Sequence, residues 1–184
     1  MVSKRKTRWL PLLFCAAVLL CLVAYILISC PRRYEEIITV CSEQYGVPAE
    51  LIAAVIATES GYRVDACSEE GAIGLMQMMP ETYVYLAGLR GETADLAQLR
   101  IPAVSIDYGT YYLSLLYARY RDWEHALAAY NAGIGNVDAW LLREDCTDRS
   151  GHLVRIPFGE TARYVKKVRF AQNVYHLKNY FGGR

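Results

Sequence analysis

The chain has 184 residues, 54% hydrophobic and 12% aromatic, which suits one globular domain plus a separate apolar element. Its formal net charge is +1 and its body holds no Lys/Arg-rich tract, which argues against a nucleic-acid partner. The apolar excess is concentrated at the N-terminus, where Leu10 to Ser29 runs for 20 residues without a charge, long enough to cross a bilayer. Lys4, Arg5, Lys6 and Arg8 precede it, so the positive-inside rule keeps residues 1–9 in the cytoplasm and exports the rest, with Arg32 and Arg33 on the far side weakening the bias. A lipoprotein signal is the alternative, since Leu27-Ile28-Ser29-Cys30 resembles a lipobox; Pro31 and the length of the run oppose it. Either way the domain is tethered to the membrane on its outer side. All 19 acidic residues lie after residue 30, against 16 basic ones, so the exported part carries a net charge of −3.

Beyond the spacer Pro31 to Arg33, residues 34–184 read as one domain without repeats or low-complexity tracts. Tyr34 to Tyr45 is expected to form a helix with Ile37, Ile38, Cys41 and Tyr45 inward, stopped by Gly46. Pro48 opens a second helix reaching about Ser60. A loop from Gly61 to Glu70 follows, then a short helix through "GLMQMMPETYVYLAG" and a polar stretch from Gly91 to Gln98. "SIDYGTYYLSLLYARY" and "WEHALAAYNAG" are amphipathic helices, the latter ended by Gly133. Arg143 to Gly159 is irregular, and Glu160 to Tyr180 is a closing helix with Tyr164, Val168, Ala171 and Tyr175 on one face. Strand signals are almost absent, so the fold class is mainly α.

Cys41, Cys67 and Cys146 lie in the exported part, an odd number that fits no complete disulfide framework. A Cys67–Cys146 bridge and three free thiols are both open. No CxxC is present, and His125, His152 and His176 are scattered without a ligand pattern, so no metal and no cofactor are expected.

In "IAAVIATESGYR", Ile52, Ile56 and Glu59 stand at i, i+4 and i+7 on one helical face. That spacing carries a carboxylate to the edge of the core, where loss of water favours the protonated form. A proton held near neutral pH suits a general acid. The other reading of the helix alone is a terminal glutamate that curls out to solvent.

The residues downstream favour the first reading. "ESGYRVDACSEEGAIGLMQMMP" (Glu59–Pro80), "IDYGTYYL" (Ile106–Leu113), "ALAAYNAGIGNV" (Ala126–Val137) and "IPFGETARYVKKV" (Ile156–Val168) together resemble the bacterial lytic transglycosylases of the soluble-lytic-transglycosylase type, whose domain is goose-lysozyme-like. The resemblance implies a lysozyme-like helical domain acting on peptidoglycan glycan strands, with Glu59 as the single catalytic acid/base. It further implies that Ser68 contacts substrate from its loop and that Gly74, Gln77 and Met79 line the glycan groove. Tyr130 and Asn131 would bind the sugar beside the scissile bond, and Tyr164 would approach the catalytic carboxylate. The residue chemistry agrees: Gly71 and Gly74 permit close backbone approach, Gln77 and Asn131 offer a donor and an acceptor each, and the tyrosines pair a flat apolar face with a polar tip. Met76, Met78 and Met79 also suit a core, and Asn131 near Gly133 could cap a helix. Asp65, Glu69 and Glu70 read as solvated, and Glu160 as a helix-start charge. Ser105 and Ala162 depart from the family, which usually has Asn and Arg there. A hydrolytic muramidase of the same fold and a non-catalytic peptidoglycan-binding scaffold are the rival readings.

Overall fold

The structure, a computed structural model, describes residues 9–29 and 33–181, so the basic tail and Cys30 of the lipobox lie outside the described residues. In chain order the helices are α1 (Leu10–Ser29), α2 (Glu35–Tyr45), α3 (Ala49–Glu59), α4 (Pro80–Arg90), a 3-10 helix (Leu96–Arg100), α5 (Pro102–Tyr120), α6 (Trp123–Ala132), α7 (Ile134–Leu141) and α8 (Gly159–Phe181). Among the described residues, strand-like pairing is limited to the isolated bridges Cys67–Ile73, Ile73–Met78 and Thr147–Leu153. The mainly α expectation holds.

The arrangement follows from α3. Leu51, Ile52, Ala54, Val55 and Ile56 are each 0% exposed, so this helix is apolar all round rather than on one stripe, and it must sit in the centre. Helix α8 packs along it, α2 covers another side, and α5 with α6 completes the enclosure. The inward face expected of α8 is in place, with Tyr164, Val168 and Tyr175 buried and Ala171 packed against the same core. Gly46 ends α2 as expected, taking φ 66° while its N–H donates to Ser42 O.

A second, smaller core lies under α4, where Ile73, Met78, Tyr83, Leu86, Leu99 and Tyr108 pack together. Here the structure departs from the expected helix through "GLMQMM". Residues 74–79 are not helical; Ile73 and Met78 exchange both backbone hydrogen bonds (3.0 Å each), closing a tight loop with Gly74 at φ 81° and Gln77 at φ 46°. Pro80 is the cause: it occupies the first turn of α4 and disfavours the helical region at Met79, which is extended (φ −70°, ψ 139°), so the helix starts at Pro80. Met76 and Met78 are core, as their apolar character allows.

Cys67 and Cys146 do not pair; both are free, Cys67 exposed and Cys146 buried, and Cys41 is buried and free as well. Helix α1 has a 20-residue helical backbone, and the described side chains of Leu12, Leu13, Phe14, Val18 and Leu20 are exposed. Among the described residues no helix is long and apolar enough to cross a membrane. The side chains at 10, 19 and 22–29 of α1 lie outside those described. The membrane span therefore stays an expectation of the sequence.

Candidate active site

Glu59 is the last residue of α3, and three connections hold the 71–78 loop against it. Ser60 Oγ donates to Leu75 O (2.8 Å) and also reaches Ile56 O (3.2 Å), pinning the helix end to the loop. The Tyr130 hydroxyl, from α6, donates to Met76 O (2.8 Å). Met76 N–H donates to Ser105 Oγ (3.3 Å) from α5, so the family departure at Ser105 fills its place with a hydroxyl acceptor. Three helices thus clasp one loop beside one carboxylate.

Burial raises the Glu59 carboxyl to about 7, opposed by the Tyr164 hydroxyl and the Lys167 ammonium, which both favour the ionised form. Tyr164 and Tyr130 are in turn pushed well above the ordinary phenol value, first by burial and then by the charge of Glu59. Among the described residues the buried Tyr164 hydroxyl has no partner at full hydrogen-bond geometry, yet it lies close enough to Glu59 to favour the ionised carboxylate. Among the described residues no second carboxylate acts on Glu59, and Asp65, Glu69 and Glu70 are exposed in the loop beyond it.

The other residues named from the sequence take different places. Tyr130 and Tyr164 feel the charge of Glu59, Gln77 belongs to the loop that Tyr130 bonds, and Asn131 follows Tyr130 at the exposed end of α6. Gln77 does not offer both polar ends, however: its Nε2 donates to Gly74 O (2.9 Å) and Ala66 O (3.3 Å), leaving the amide oxygen as what it presents. Gly74 serves the fold rather than a close-approaching ligand, because a Cβ there would meet Leu99 O at 2.0 Å. The Ser68 hydroxyl accepts from Ala72 N–H (3.2 Å) within its own loop, and Met79 is the half-buried residue that precedes α4. Tyr112, one of several aromatics along α5 that no spacing singles out, is partly buried with its ring 5.4 Å from that of Tyr130. A cavity of about 690 Å³ between α2, α3 and the end of α8, lined by Glu50, Tyr62 and His176 among others, includes none of these residues.

The histidines are not all scattered. Asp122, His125 and His152 bring one ligand atom each within 4.8 Å of the others. Asp122 caps α6, accepting from Glu124 N–H (2.7 Å) and His125 N–H (3.0 Å), and its second oxygen lies 3.2 Å from His152 Nδ1. His125 Nε2 accepts the Leu153 N–H (3.0 Å). The lone pair a metal would need from His125 is therefore committed, and the cluster fastens the 148–153 loop to α6.

The helical fold, with one buried carboxyl beside two tyrosines, is of the lysozyme-like class and has counterparts among known proteins. The chain belongs to the transglycosylase SLT domain family, whose profile matches residues 36–151. It is 32% identical over 158 residues to the soluble lytic murein transglycosylase of Escherichia coli (strain K12), covering 83% of this chain and 24% of that protein. It is 31% identical to the membrane-bound lytic murein transglycosylase C of Edwardsiella ictaluri (strain 93-146), covering 78% of this chain and 46% of that one. Among solved structures, it superimposes on an inactive variant of the lytic transglycosylase Slt from Pseudomonas aeruginosa with a TM-score of 0.73 and 33% identity, over 81% of this chain and 25% of that one. The complex of the 70 kDa soluble lytic transglycosylase with bulgecin A matches with a TM-score of 0.74 at 31% identity, over 84% of this chain and 25% of that one. The chain thus spans about a quarter of the soluble relatives and under half of the membrane-bound one.

Proposed function

We propose that this chain is a peptidoglycan lytic transglycosylase that cleaves the β-1,4 bond between N-acetylmuramic acid and N-acetylglucosamine without water and without a cofactor. The observation that carries the reading is a single buried carboxyl raised to about 7, with no second carboxylate acting on it among the described residues. Ordinary glycosidases need two carboxylates, one as acid and one as base or nucleophile. Here the substrate supplies the missing group. Glu59 passes its proton to the glycosidic oxygen, and the bond from that oxygen to the muramyl anomeric carbon breaks as the acetamido oxygen closes on that carbon. The Glu59 carboxylate then takes the proton of the muramyl 6-hydroxyl, whose oxygen displaces the acetamido group. A 1,6-anhydro ring results, Glu59 is protonated again, and no water is consumed.

In this reading Tyr130, Asn131 and the Gln77 oxygen hold the sugars, with Gly74, Met79 and Ser68 shaping the loop that carries Gln77. Tyr164 and Lys167 steady the ionised Glu59 of the second step. Digestion of purified peptidoglycan should release fragments whose muramyl ends are one water lighter than reducing ends. Ordinary reducing muramic acid in most fragments would replace the reading with a hydrolytic muramidase, and glycan binding without cleavage would replace it with a scaffold.

The same reading places the catalytic domain, residues 34–184, outside the cytoplasmic membrane on an anchor at 10–29. It is supported by the charge-free Leu10–Ser29 run and its helical backbone, about 30 Å long at 1.5 Å per residue. Cys30→Ala should leave both the size of the protein and its membrane fraction unchanged. A slower-migrating precursor, or release into the medium, would point instead to lipid attachment at Cys30.

A further inference from the structure

Asn131 is exposed at the end of α6, and its two amide ends are treated differently by the fold. Its Oδ1 accepts a 2.7 Å hydrogen bond from Thr161 Oγ1 in the first turn of α8, whereas its Nδ2 donates to nothing among the described residues. Thr161 itself is 1% exposed, so its hydroxyl has no ready exchange with water and is dedicated to Asn131. Thr161 stands in the first turn of α8, so no preceding helical turn offers its hydroxyl a carbonyl. Here it reaches across to another helix instead. Capping, the structural alternative for Asn131, is not what its side chain does: the described hydrogen bond goes to Thr161 and not to a backbone group.

We infer that Thr161 is a positioning residue, whose hydroxyl locks the Asn131 amide so that its NH₂ is held out as a fixed donor to an acceptor oxygen of the bound glycan. This rests on the transglycosylase reading above and adds a residue to it. Without the lock the amide can turn over, exchanging donor for acceptor, because its oxygen and nitrogen ends have nearly the same shape. The device is paired with a second one. Gln77 spends both N–H groups on Gly74 O and Ala66 O, so its amide presents only oxygen. The two amides thus present opposite polarities, one fixed acceptor and one fixed donor, each set by internal bonds before substrate arrives. Preorganised polar groups of this kind discriminate because a substrate with the wrong polarity leaves them unpaired.

Helix α8 links this lock to the acid. Thr161 and Tyr164 stand at i and i+3 and share a face, so the turn that holds Asn131 also holds the hydroxyl that biases Glu59. A disturbance of that turn would move both groups, whereas loss of the Thr161 hydroxyl alone should move only Asn131.

The test compares the full-length detergent-solubilised protein with Thr161→Val, Thr161→Ser, Asn131→Ala and the double variant Thr161→Val/Asn131→Ala, acting on solubilised peptidoglycan strands over a range of pH. Thr161→Val should lower kcat/KM roughly three- to tenfold, the worth of one neutral hydrogen bond, with the pH profile unmoved. Thr161→Ser should restore the rate, and Thr161→Val should cost nothing further once Asn131 is alanine. The Asn131 side-chain amide resonances should shift in Thr161→Val and hold in Thr161→Ser. A Thr161→Val rate equal to wild type, an undiminished loss in the Asn131→Ala background, or a displaced pH profile would each overturn the lock. A wild-type protein that cuts nothing overturns the transglycosylase reading instead, and the lock is then decided by the amide resonances, whose failure to shift in Thr161→Val would overturn it.

Discussion

Glu59→Gln should fold normally and lose turnover by at least about a thousandfold, because it removes the transferable proton at nearly constant shape. The acid must carry its proton to act, and burial lifts that carboxyl to about 7. Wild-type activity should therefore fall as pH rises through about 7. The same shift has a consequence for stability. A carboxyl whose folded pKa exceeds its unfolded value of 4.5 adds stability that is complete below 4.5 and is lost as pH rises to about 7. Above that, the protein carries a buried charge that the glutamine variant lacks. Glu59→Gln should thus be more stable than wild type at pH 8, by about 1–3 kcal/mol given the partial exposure of the site, with the gap closing toward pH 4.5. Thermal melts at the two pH values and a wall-clearing assay check both halves. Substantial residual turnover would assign the acid to another residue, and equal melts at pH 8 would mean that Glu59 is not desolvated.

Gly74→Ala should be the most damaging small substitution in the loop beside the acid. Its φ of 81° disfavours any side chain, and an added Cβ would sit 2.0 Å from Leu99 O and 3.0 Å from Ser105 Oγ. Strained backbone and overpacking together amount to about 2–4 kcal/mol, a fall in melting temperature of roughly 5–15 °C for a domain of this size. Gly71→Ala is the control: its φ is 90°, but nothing lies within 4 Å of the added atom, so only the backbone contribution remains. Melts of the two variants that coincide would show that the contact with Leu99 has no weight.

Much of this was legible in the chain, and the failures have physical causes. The stop at Gly46 and the buried face of α8 follow from glycine conformation and helical period, which are local properties. The burial of Glu59, by contrast, comes from α3 being enclosed on all sides and not from the one face that Ile52, Ile56 and Glu59 share. The run of methionines at 76–79 suggests helix where the structure has a turn, although Pro80 disfavours helix at Met79 and so carries the signal of the turn. Helix α7 is short and carries Gly135, so its Ile134–Leu141 span left too weak a period to register. The Asp122–His125–His152 cluster and the Thr161–Asn131 lock join groups about one helix–loop–helix unit apart, and no spacing rule reaches that far. The most instructive case is Gln77. Residue type gave it a donor and an acceptor, but only the fold could decide that both N–H groups are spent on backbone carbonyls.

The claim that a single carboxylate suffices because the sugar attacks itself makes one demand that no hydrolase can meet: no solvent oxygen enters the product. A muramyl 6-hydroxyl held beside its own anomeric carbon has a large effective-concentration advantage over water, so the outcome should be nearly exclusive. Peptidoglycan digested by the protein in water enriched in oxygen-18 should give new muramyl ends that carry no label and are one water lighter than reducing ends. Incorporation of one labelled oxygen per bond cut would contradict the account and make the protein a muramidase.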